Sequence, residues 1–163
     1  MHKDITVSSV AIGSYTGSSA VDSDSVDTVQ DANIGGAESL MIHVRAEIAS
    51  GSPSAATLAW ALYECDTSGG SYIAAVDNTG TAIGGTLNVH TVAQDAYARI
   101  EGINLFNDNA SAAPYGGRKR YLKVYFTPTF TGGSSPAILG YAELIGAPGN
   151  GAALPVRTVT SNT

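Results

Sequence analysis

The side chains best suited to chemistry are few in this chain, and their spacing does not gather them. His2, His43 and His90 are far apart, with no His-Glu-x-x-His or His-x-His arrangement to bring two imidazoles onto one ion, so no metal centre is expected. His43 and His90 fall within strand-like alternations and read as polar-face or rim residues. Asp22, Asp24, Asp27 and Asp31 crowd the stretch "VDSDSVDTVQD". A calcium loop also needs a central glycine and a terminal bidentate Glu, which this stretch lacks, so it reads as a solvated acidic arm. Glu64, Asp66, Glu101 and Glu143 would serve glycoside hydrolysis only if two carboxyls stood about 5 to 9 Å apart across a cleft, and nothing in the spacing brings any two together. There is no G-x-S-x-G elbow, P-loop or dinucleotide fingerprint. The pairs Gly35-Gly36, Gly69-Gly70, Gly84-Gly85, Gly116-Gly117 and Gly132-Gly133 all read as turns. Neither an enzyme nor a cofactor is expected.

One cluster is conspicuous. "GGRKRYLKVYFTPTF", Gly116 to Phe130, holds four of the chain's eight Lys and Arg residues, although the formal net charge is −6. Alternation puts Lys119, Tyr121, Lys123 and Tyr125 on one face, and Leu122, Val124, Phe126 and Phe130 on the other. Arg118 and Arg120 share the apolar parity but precede it, which places them at the rim, where a carboxylate or carbonyl can be met. The cluster has two readings. Its cations are gatekeepers of an edge strand, or Arg118, Lys119, Arg120, Tyr121, Lys123 and Tyr125 form a contact patch for an acidic partner surface.

The elements that must position these residues are strands. Helical periodicity is almost absent, and period-two alternation recurs. In "SLMIHVRAEI", Leu40, Ile42, Val44, Ala46 and Ile48 face one way; in "TLAWALYE", Leu58, Trp60 and Leu62 do so. These two strands, joined by "ASGSPSAA", are expected to form a hairpin. "SYIAAV", "GTLNVHTV", "YARIEGINLF" and "AILGYAELIG" supply further short strands between Gly-, Asp- and Asn-rich turns. About seven or eight strands without helical segments predict an all-β, antiparallel two-sheet sandwich. Its expected core is Leu40, Ile42, Val44, Leu58, Trp60, Leu62, Leu122, Val124 and Phe126. Trp60 shares a face with two leucines, so core packing outweighs a sugar-stacking role. Residues 1–36 read as an extended N-terminal arm with one or two edge strands, 37–145 as the sandwich, and 146–163 as an extended C-terminal tail.

Composition narrows the partners. Charged residues are 13% of the 163, about half the usual share, which describes a bland surface. A net charge of −6 argues against nucleic acid and anionic membranes, both of which need a positive field. The lone Cys65 allows no internal disulfide and suits a reducing cytosol. No run approaches the roughly 18 apolar residues of a membrane span, and "MHKDITVSSV" has no apolar core of a signal peptide, so neither span nor export signal is expected.

The segment "GRKRYLKVYFTPTFTGGSSPAILGYAEL" resembles the C-terminal hairpin of the small β-sandwich decoration, or cement, proteins of tailed bacteriophage capsids. There, an Arg-Tyr-Leu strand is followed by a Gly/Thr-rich turn and a strand of small residues; Arg120, Tyr121 and Leu122 occupy the matching strand here. "ANIGGAESLMIHVRAEI" and "TLAWALYECDTSGGSYIAA" resemble the strands that follow the arm, and the likeness spans about residues 34 to 145. The resemblance implies a jelly roll without enzymatic activity, made in the host bacterial cytoplasm. It implies trimers on the capsid outer surface, bound to the major capsid protein and tying capsomers together. Another virion sandwich, of tail, fibre or receptor-binding type, or a carbohydrate-binding module, is the alternative.

Overall fold

Alternating apolar residues can bury one face of a strand only if a second layer covers it. The computed structural model describes residues 7–16, 19–28, 39–77, 79–89, 96–104, 118–147 and 157–161. Among these the regular elements are all strands: β1 (Val7–Tyr15), β2 (Val21–Asp22), β3 (Val26–Asp27), β4 (Ser39–Ser50), β5 (Ala55–Cys65), β6 (Ile73–Ala74), β7 (Gly84–Val89), β8 (Ala96–Asn104), β9 (Tyr121–Thr131), β10 (Ala137–Ala147) and β11 (Arg157–Ser161). One antiparallel sheet runs β1-β10-β4-β8-β11. The other runs β2-β9-β5-β6, with β3 also on β9 and β7 also on β5. His2, His90, Asp31, Gly35, Gly36, Gly116 and Gly117 lie outside the described residues, as do parts of the arm and tail.

The two sheets share one core, as in a sandwich. Leu40, Ile42, Val44 and Ala46 of β4 and Ile138, Ala142 and Leu144 of β10 come from one sheet. Leu58, Trp60 and Leu62 of β5, Leu87 and Val89 of β7, and Leu122, Val124 and Phe126 of β9 come from the other. All nine residues expected in the core are buried, Trp60 included at 3% exposure. Each large side chain so buried contributes roughly 1.5–3 kcal/mol, and a one-residue slip would turn a whole set to solvent. That is why the alternation fixes which face points inward.

Two expected hairpins are instead crossings between sheets. β4 pairs with β10 and β8, whereas β5 pairs with β9, β6 and β7, so the chain between β4 and β5 arches over the core edge. The β9–β10 connection does the same. The arches are neighbours: Ser134 N donates to Gly51 O at 3.0 Å, and Ser54 N donates to Thr131 O at 2.8 Å. Gly51 and Gly133 both adopt positive φ, and a Cβ on Gly51 would stand 2.4 Å from Pro136 Cα. Hairpin turns and arches draw on the same Gly, Pro and Ser vocabulary; the flanking strands' other partners decide which forms.

Gly84 and Gly85 are a further correction, for they open β7 and are not a turn. In the register Gly85 faces Trp60 and Gly84 faces Ala61. A Cβ on Gly84 would lie 2.5 Å from Trp60 O, and one on Gly85 3.4 Å from the indole Nε1. The pair is small because β5 and its tryptophan come close to the β7 backbone.

The N-terminal part borders both sheets. β1 lies on the outer side of β10, and β2 and β3 lie on β9. β11 closes the other border of the first sheet against β8.

Candidate functional site

Alternation along β9 directs Leu122, Val124 and Phe126 into the core, leaving Tyr121, Lys123 and Tyr125 half-buried on the outer face. The preceding residues 118–120 sit at the end of the sandwich, beside the C-terminal end of β5 and the short β3. The four cations of this segment all meet carboxylates of the same chain. Arg120 grips Asp27 bidentately, Nε to Oδ1 at 2.9 Å and Nη2 to Oδ2 at 2.7 Å. Lys123 Nζ donates to Asp22 Oδ2 at 2.8 Å, Lys119 Nζ to Asp66 Oδ2, and Arg118 Nη1 to Glu64 Oε2 at 3.0 Å.

These pairs differ in kind. Arg118 and Glu64 are buried, their side chains 4% and 10% exposed. Arg118 Nη2 also donates to Val76 O at 2.9 Å, and Lys119 N donates to Glu64 Oε2 at 3.3 Å, so the carboxylate is well satisfied. Glu64 shares the inward parity of Leu62 and Trp60, one step beyond the apolar run. By contrast Asp66 is 72% exposed, and the Lys119 pair belongs to the class worth about 0–1 kcal/mol. Hydrogen bonding to Lys123 holds the Asp22 carboxyl below its ordinary range, and the reciprocal bond raises Lys123. Lys119 is likewise raised by its bond to Asp66, and Arg120 by its bond to Asp27.

The acidic stretch of the arm is therefore a clip on β9. Thr28 donates to Arg120 O from both its amide and its hydroxyl. Ser23 N donates to Val124 O, while Val124 N donates to Ser23 Oγ, each at 3.0 Å. Asp22 and Asp27 lie opposite Tyr125 and Tyr121 in the register, which sets their carboxylates beside Lys123 and Arg120. Sequence reading singled out both clusters yet did not join them. The one signal available was their opposite charge.

Aromatic rings fill in the outer face of this sheet. Tyr125 and Tyr63 stand 4.3 Å apart between ring centres, Lys123 Nζ lies 4.9 Å from the Tyr72 ring, and the Arg120 guanidinium 5.2 Å from that of Tyr121. The surface thus presents phenols and internally neutralised cations. Of the candidate contact residues, Lys119, Arg120, Tyr121, Lys123 and Tyr125 reach this outer surface or its rim, and Arg118 turns inward to Glu64.

Three of the four carboxylates considered for glycoside hydrolysis have other engagements, and the Glu101 side chain lies outside the described residues. Glu64 and Asp66 hold Arg118 and Lys119, and Glu143 lies 3.3 Å from His43 Nδ1 across β4 and β10. Among the described residues no three His, Cys, Asp or Glu side chains converge as ligands of an ion would. Comparison of the chain with protein-family models, curated proteins and solved structures finds no match.

Proposed function

We propose that this chain is a jelly-roll decoration protein that seats on a tailed-phage capsid and ties neighbouring capsomers together. The strand pairing is the observation that carries the reading. Four antiparallel ladders nest one inside the next: β1 with β10, β2 and β3 with β9, β4 with β8, and β5 with β7. A single long ribbon folded into two Greek keys, with β10 also meeting β4 and β9 also meeting β5, is expected to pair in this nested way, which supports the jelly-roll reading. The resemblance of the Arg120-Tyr121-Leu122 strand and its Gly-rich sequel points to the same family of folds.

The outer face of β9 is the proposed capsid contact. Its cations are already paired, so a partner meets tyrosines and neutral hydrogen-bonding groups and sheds little hydration. A homotrimer presents this face three times, and modest contacts then act together through effective concentration. The test is electron microscopy and co-sedimentation of virions assembled with and without the chain. Extra density on the shell exterior, lost when Tyr121 and Tyr125 are both replaced by Ala in a folded protein, is the expected result. Density on the tail or fibres would support the alternative virion role and overturn this one.

A further inference from the structure

A sheet edge is where a folded β protein can still take another strand, because alternate residues there aim N–H and C=O groups away from the ladder. Most edges of this sandwich carry a safeguard. β2, β3 and β6 are two residues long, β1 breaks its register between Ser9 and Ala11, and β11 opens on Arg157. β7 carries none: "GGTLNV" has six residues, no charge, no proline and an unbroken register with β5. Among the described residues β7 pairs with β5 alone. Ile83 O accepts from Leu62 N, so in the alternation that follows Gly85, Leu87 and Val89 turn their backbone polar groups to β5. Gly84, Thr86 and Asn88 turn theirs outward.

Two further observations point to an occupant. The first is an overhang. β7 packs beneath β8, and β11 continues that sheet one strand further, so the place beside β7 lies under β11. Thr158 and Thr160 stand opposite Ile100 and Ala98, which stand opposite the buried Ile42 and Val44, so the register puts both threonine positions on the core-facing side. The second is an orphan donor. Trp60 is 3% exposed, and its Nε1 makes no hydrogen bond within the chain. It lies beside Gly85, where a Cβ would stand 3.4 Å from it. A buried donor left unpaired costs about 1–3 kcal/mol, so an acceptor brought here is worth more than one on the open surface.

These features select the partner. A second copy of β7 does not fit, because the β8 packed over it would need the place that β11 already takes. A helix, about 10–12 Å across with its side chains, leaves the backbone groups of the edge unpaired. One extended segment pairs with the edge, passes beneath β11 and brings a side chain opposite Gly85, its Cβ about 4.5–5.5 Å from that position. We propose that the edge of β7 takes one extended, uncharged segment of a partner polypeptide as an added strand, with a Ser or Thr opposite Gly85 accepting from Trp60 Nε1. The site is independent of the capsid reading, and it leaves the outer face of β9 open.

Titration of the full-length, ¹⁵N-labelled chain with the peptide acetyl-Lys-Thr-Val-Thr-Val-Thr-Val-Lys-amide, its lysines added for solubility, tests this. Saturable shifts are expected at the amides of Gly84, Thr86 and Asn88 and at the indole N–H, a single resonance because Trp60 is the sole tryptophan. Affinity should lie in the sub-millimolar range that main-chain pairing over a short strand supports. The same peptide with proline as its fourth residue should bind at least about tenfold more weakly. Thr86→Pro removes an outward N–H and no bond to β5, so the folded variant should lose binding; if it unfolds, the proline peptide on the parent chain decides in its place. Absence of saturable shifts, shifts centred away from β7, equal binding of the proline peptide, or parental binding by folded Thr86→Pro would overturn the proposal. Slow exchange at Gly84, Thr86 and Asn88 in the peptide-free chain would overturn it by showing that the chain covers this edge itself. Concentration-dependent shifts at β7 without peptide would do so in favour of a second copy. An indole resonance that stays still while β7 saturates would overturn the role of Trp60.

Discussion

Arg118 and Glu64 are set apart from the other three ion pairs by the loss of water around them. Removing one partner of a buried pair leaves the other charged and desolvated, which costs about 3–5 kcal/mol. Glu64→Ala and Arg118→Met are each expected to lower the urea unfolding free energy by that order, and the double variant Glu64→Met/Arg118→Met by less than the two losses added. Single variants within about 0.5 kcal/mol of the parent would mean that the pair is hydrated in solution. The Lys123–Asp22 pair acts through pH instead. Asp22 is held below its usual 3.8, so its contribution is present above pH 3.8 and fades as pH falls through the lowered value. Lys123 is held above 10.5, so its contribution is complete below pH 10.5 and fades as pH rises through the raised value. Asp22→Asn should flatten the acid limb of the stability profile by up to about 1 kcal/mol. Amide protection factors at Ser23 and Val124, corrected for the intrinsic pH dependence of exchange, should fall in the parent as its acid limb is descended. Identical acid limbs in parent and variant would show that the clip does not depend on this carboxylate.

At the scale of elements, two neighbouring arches carry the chain from one sheet to the other. Gly51 has φ 84° and Gly133 φ 83°; a Cβ on either would press on the other arch, 2.4 Å from Pro136 Cα in one case and 2.5 Å from Gly51 O in the other. Gly51→Ala and Gly133→Ala are each expected to destabilise by about 2–4 kcal/mol, combining strain at positive φ with backbone collision. Gly69→Ala is the control: a Cβ there meets nothing within 4 Å, and its φ lies outside the positive region. It should be neutral or slightly stabilising, by up to about 1 kcal/mol. Thermal melts of the three variants check this, and equal losses in all of them would remove the arches as the cause.

At the scale of the whole molecule, charge is organised for self-satisfaction. Arg120 and Lys123 meet Asp27 and Asp22 of the acidic stretch, while Arg118 and Lys119 meet Glu64 and Asp66, so the outer face of β9 presents phenols beside cations that already hold carboxylates. For the proposed capsid contact this has a measurable consequence. Replacing Lys119, Arg120 and Lys123 by Ser, with Arg118 kept so that Glu64 is not stranded, should change capsid binding less than replacing Tyr121 and Tyr125 by Ala. Parental binding should also fall only slightly between low and high salt, because its cations release few counterions when they already hold carboxylates. Steep salt dependence would mean that Lys119 and Lys123 exchange their internal partners for those of the capsid. Sedimentation of the purified chain as a trimer is expected, and a strict monomer at all concentrations would leave the proposed multivalency without a basis.

The inward faces of β4, β5 and β9 were legible in the sequence because a strand's period of two is local. Leu40 to Ala46, Leu58 to Leu62 and Leu122 to Phe126 each name their buried side without reference to any partner. Pairing is not local, and there the sequence was silent. The "ASGSPSAA" and "TGGSSP" connections suit a hairpin as well as an arch. The choice fell to ladders such as Trp60 with Phe126 and Ile42 with Leu144, whose members lie far apart in the chain. Gly84 and Gly85 carry turn chemistry, yet the closeness of Trp60 across the ladder made them strand residues. The carboxylates that meet the basic cluster were visible as residues but not as partners. Asp27 lies 93 positions from Arg120 and Asp22 101 from Lys123, and only antiparallel packing of β2 and β3 on β9 brings their charges within hydrogen-bonding reach.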